Sequence, residues 1–102
     1  MDVELARAHW DEGYRRFDRA RSDPKAFQQL STQVDLIAAE LRRRVGQRFT
    51  LEELAAAYDG AVEWARDTLR DALPDDATPP DTVTVADAAF HVYARGASDY
   101  QP

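Results

Sequence analysis

The sequence predicts an all-α fold: an antiparallel three-helix bundle with a short fourth helix docked after a proline-rich linker. Two observations carry this. Apolar side chains recur at three- and four-residue steps through most of the 102 residues. Capping signals cut the periodic stretches into segments, the sharpest being Phe49-Thr50-Leu51-Glu52-Glu53-Leu54. There Thr50 is placed to accept from the Glu53 amide, Glu53 to reach back to the Thr50 amide, and Phe49 to pack on Leu54.

The first predicted helix covers residues 3–21. Val3, Ala6, Trp10, Gly13, Tyr14, Phe17 and Ala20 fall on one arc, and the other face carries Asp11/Arg15 and Glu12/Arg16 in the favourable acid-first order. Asp23 then caps a second helix over residues 24–45, with Pro24 at the first helical position, where a missing N–H costs nothing. Its narrow seam is Phe27, Leu30, Val34, Ile37, Leu41 and Val45, and Gly46 ends it. The three residues Gln47-Arg48-Phe49 then imply a tight helical hairpin.

The third helix is predicted over residues 51–73 and, with two adjoining apolar strips, as the central one. Glu52, Glu53, Asp59, Glu63, Asp67 and Asp71 make its other side acidic. Residues 74–83 form the acidic, proline-rich linker. Thr82-Val83-Thr84-Val85 has strand character but no pairing partner, so Thr84 is read as the cap of a fourth helix over residues 85–95.

Composition bounds the function. The length suits one domain, and no apolar run approaches a membrane span. The absence of cysteine removes disulfides and thiolate chemistry and agrees with a cytoplasmic setting. Twelve arginines against one lysine, beside eighteen alanines, suit a GC-rich bacterial coding bias. The net charge of −6 disfavours nucleic acid as a general partner. Charge is also divided: residues 1–49 carry ten basic and eight acidic groups, net +2, while residues 50–102 carry three and eleven, net −8.

No phosphate loop, nucleophile elbow or zinc spacing is present, and no cofactor is expected. Asp87, His91 and Arg95 at four-residue spacing suggest surface ion pairing before catalysis or metal binding. The expected function is therefore a non-enzymatic interaction or regulatory protein that binds a protein partner or a second copy of itself. Its contact residues would be Phe90, Tyr93 and His91 on an apolar helix 4, with Trp64 on the acidic helix 3.

The alternative is a nucleic-acid-associated regulator using Arg42, Arg43, Arg44 and Arg48. Residues 49–55, with Asp59-Gly60 at a turn position, resemble the opening of many helix-turn-helix motifs. That resemblance implies a recognition helix within residues 61–73, where Glu63, Asp67 and Asp71 would face phosphate.

Overall fold

Glycine and aspartate punctuation divides the described residues into five helices, one more than the periodicity suggests. The computed structural model describes residues 1–74 and 80–102. Its helices are α1 (Val3–Arg19), α2 (Pro24–Val45), α3 (Leu51–Tyr58), α4 (Ala61–Ala72) and α5 (Thr82–Ala94), with a 3₁₀ turn at Ala20–Ser22. No strand occurs among the described residues, so the all-α class stands.

Local chemistry explains the boundaries. Asp2 caps α1 by accepting from the Leu5 amide, and Asp23 caps α2 by accepting from Ala26. Gly46 adopts a φ of 78° after α2, and its N–H bonds to the Arg42 carbonyl. The expected capping box forms in full: Glu53 N–H donates to Thr50 Oγ1 at 3.1 Å and Thr50 N–H to Glu53 Oε1 at 3.4 Å. The 51–73 segment is not one helix, however. Asp59 leaves the helical region and Gly60 turns back through the left-handed region at φ 78°. Apolar spacing runs on across that break, so periodicity alone conceals it.

The larger correction concerns position. The expected peripheral helix is the centre of the molecule, and the expected central helix is two shorter flanking ones. Every residue from 84 to 90 is buried. α1 runs antiparallel along α5, with Arg7 near Gln101, Asp11 near His91 and Gly13 against Asp87. Trp10 stacks on Phe90 at 5.6 Å, Tyr58 meets the same ring edge-on at 5.1 Å, and Trp64 closes from α4 at 6.3 Å. α1 and α2 meet mainly at their hairpin, where Phe17 stacks on Phe27 at 4.9 Å; beyond it α5 lies between them. Ala86, Ala88 and Ala89 keep α5 slim enough for neighbours on every side.

α5 also begins three residues earlier than expected. Asp81, not Thr84, is the cap: its carboxylate accepts from the Thr84 amide at 3.1 Å and from the Thr84 hydroxyl at 2.8 Å. Thr82 and Val83, assigned to the linker from sequence, are therefore helical, while linker residues 75–79 lie outside the described residues. Burial overrides the β-leaning propensity of this stretch. The tail, expected to be irregular, folds back: Ser98 N–H donates to the Phe49 carbonyl at 2.9 Å, and Asp99 accepts from the Leu51 amide at 2.7 Å.

Candidate functional site

Because α5 is central, its polar residues point into different environments. Asp87 is 3% exposed and faces α1 at its tightest point: a Cβ on Gly13 would stand 2.2 Å from the Asp87 Cβ. Tyr58 of α3 donates its hydroxyl proton to Asp87 Oδ1 at 2.5 Å. Burial raises the Asp87 carboxyl above the usual carboxylate range, against the opposing pull of the Tyr58 hydrogen bond and of the nearby His9 and Arg16 side chains. Burial, and then the neighbouring carboxylate, likewise hold the Tyr58 hydroxyl well above the ordinary tyrosine value. This buried pair joins α3 to α5; it is not the surface ion pair expected of Asp87.

His91 looks toward α1 instead. Its Nδ1 lies 2.9 Å from Asp11 Oδ1, its ring stacks on Tyr14 at 4.3 Å, and Arg95 Nη2 approaches Nε2 at 3.2 Å. Arginine only donates, so Nε2 accepts and the proton sits on Nδ1, directed at Asp11. One ring nitrogen thus faces Asp11 and the other Arg95. Asp11, expected to pair with Arg15, is thus diverted to His91, and Glu12 gathers Arg15, Arg16 and Arg19. Among the described residues no three His, Asp or Glu side chains converge as a metal site.

The four residues expected to form a contact surface are not on one face. Phe90 is 0% exposed and belongs to the core, which removes it from any docking surface of the folded chain. Trp64 is half-buried beneath Arg44, whose guanidinium lies 4.5 Å from the indole centre. Tyr93 stacks on Phe49 at 5.0 Å and donates to the Gly46 carbonyl at 2.8 Å, fastening the end of α2 to the end of α5.

Tyr93 is also one wall of an open groove of about 590 Å³ between the second half of α2 and the end of α5. Ala38, Ala39, Phe49, Val92 and Gly96 make it largely apolar, while Asp35, Arg42 and Gln47 stand as its polar members. Val92 remains 42% exposed there, one of four large apolar side chains so exposed among the described residues. Sequence reasoning missed this surface because the apolar seam of the helix, Phe27 to Val45, leaves out Ala38 and Ala39. The available signal was the spacing Asp35, Ala38, Ala39, Arg42, which places all four on one face of α2.

The arginine cluster is dispersed. Glu40 holds Arg43 and Arg44 by ion pairs, the latter at 2.9 Å, and Arg43 above all keeps the Glu40 carboxyl below its usual range. Arg42 turns to the groove, and Arg48 lies beyond the helix end. The Asp59-Gly60 turn does separate α3 from α4, as a helix-turn-helix would require. On α4, though, Arg70 is engaged by Asp67 at 2.9 Å and Asp71 at 3.9 Å, and Glu63 is exposed beside them. That face is poorly suited to phosphate.

No described helix is long and apolar enough to cross a membrane. Comparisons with protein-family models, with curated proteins and with solved structures gave no match for this chain.

Proposed function

We propose that this chain is a non-enzymatic helical interaction protein of the cytoplasm, and that its working surface is the α2–α5 groove. The supporting observation is Val92. α5 buries every residue from 84 to 90; Val83 in its first turn is exposed as well, but Val92 is left open in a groove, beside Ala38, Ala39 and Tyr93. An apolar floor with a few polar groups at its margin is the composition of helix-binding grooves. Of the residues first expected to make contact, Tyr93 takes part directly, and Arg42 joins it from the basic cluster. The acidic face of α4 is a secondary, outlying surface.

Site-specific photocrosslinking in living cells tests this. A photoreactive residue at position 92 is expected to give a protein adduct that disappears when Ala39→Arg fills the groove. The same probe at Asp18, exposed on α1, serves as the control. Equal labelling at both positions, or an adduct at 92 indifferent to Ala39→Arg, overturns the assignment.

A further inference from the structure

The groove carries a pattern that selects its occupant. Asp35, Ala38, Ala39 and Arg42 follow one another at i, i+3, i+4 and i+7, all four lining the groove from α2. At 1.5 Å per residue, the two charges stand about 10 Å apart on one helix face with only methyl groups between them. On the same helix Glu40 takes both Arg43 and Arg44. Among the described residues Asp35 and Arg42 make no ion pair.

We propose that a second copy of this chain docks in the groove, through a two-fold antiparallel contact between the α2 helices. This rests on the groove being the working surface. In a two-fold contact each residue pair occurs twice, with the partners exchanged. An axis passing between Ala38 and Ala39 sets Asp35 of each copy opposite Arg42 of the other. The same axis sets Ala38 opposite Ala39, so the smallest side chains fall where the two backbones come nearest. A parallel contact in the same register would oppose aspartate to aspartate and arginine to arginine, which like-charge repulsion forbids. One helix face is thus complementary to its own inverted image. A foreign helix would need an acid and a base placed two turns apart in matching order; a second copy of α2 already has them.

The two exchanged ion pairs are exposed and supply orientation more than affinity. Affinity comes from covering Val92 and Tyr93 and the alanine floor, so the contact is small and the dimer of the transient class. Its population rises with concentration.

Sedimentation equilibrium on the intact chain, from micromolar to millimolar concentration, tests the proposal. The wild type is expected to move from 11.5 kDa toward twice that mass. Asp35→Arg alone, or Arg42→Asp alone, places two like-charge contacts in each dimer and is expected to raise the dissociation constant by about tenfold or more. The double exchange Asp35→Arg/Arg42→Asp is expected to restore the wild-type constant. Both residues are exposed, and unchanged melting curves confirm that the variants fold. A wild type that stays at monomer mass throughout overturns the proposal, as does a dimer indifferent to the single exchanges or one the double exchange fails to restore. If the wild type is monomeric while the position 92 probe still yields an adduct with another protein, self-docking fails and the groove assignment survives. Loss of both signals ends both.

Discussion

The two ends of α5 solve the same packing problem differently. Through residues 84–90 the helix is enclosed: glycine on α1 lets the backbones meet at Asp87, and three aromatic rings close around Phe90. At its second half α2 stands off far enough to leave a groove, and Val92 faces outward two residues after the most deeply buried ring. The contrast shows how one apolar helix serves both as core and as presented surface. The sequence of α5 is nearly uniform in hydropathy, so the difference lies in its neighbours. Where α1 offers Gly13 the gap closes; where α2 offers Ala38 and Ala39, a groove is left.

The sharpest way to break this comparison is truncation at each end. Phe90→Ala empties a site enclosed on all sides and is expected to destabilise the fold by about 3–5 kcal/mol. Chemical denaturation measures it; a cost near zero would return Phe90 to the surface. Gly13→Ala comes next. The added methyl would meet the Asp87 Cβ at 2.2 Å, so α1 must shift along its length, an overpacking cost of about 1–3 kcal/mol. A fully stable Gly13→Ala variant would mean that α1 and α5 do not cross this closely.

Acidity probes the enclosed end more gently. The Asp87 carboxyl titrates above its unfolded value, so in the interval between the two the folded state binds more protons. Stability from this group is therefore greatest below the unfolded carboxyl pKa and declines as pH rises through the folded one. Asp87→Asn, which keeps an acceptor for the Tyr58 hydroxyl, is expected to flatten that decline and to gain on the wild type toward neutral pH. Parallel pH profiles of the two proteins would contradict burial of the charge. At the open end, Val92→Ala is expected to shift stability by less than about 0.5 kcal/mol, as exposed positions do.

Much of the local structure was legible in the sequence, because caps act over three or four residues. The bounds of α2 and both arms of the Thr50–Glu53 box follow from residue types alone. What escaped depends on partners distant in sequence. An all-round apolar helix is the signature of a buried one, yet the sequence alone also allows part of the docked helix over residues 85–95, at Phe90, His91 and Tyr93, to face a partner, because periodicity does not say how many neighbours surround it. The break at Asp59-Gly60 escaped because its two sides share one apolar rhythm. Of the candidate site, Tyr93 and Arg42 were within reach, whereas Val92 and the two alanines acquire meaning only once α2 and α5 lie side by side. Asp87 was misassigned for the same reason: its partner Tyr58 is 29 positions away.

The helix at the heart of the molecule also follows the other four described helices along the chain. Until it leaves the ribosome, Trp10, Ile37 and Leu69 have no common object to close upon, and a nascent chain bearing the first four helices holds an unfilled slot lined with oil. Such a chain gains little from folding before α5 is present, because the surface that its apolar faces close upon is missing.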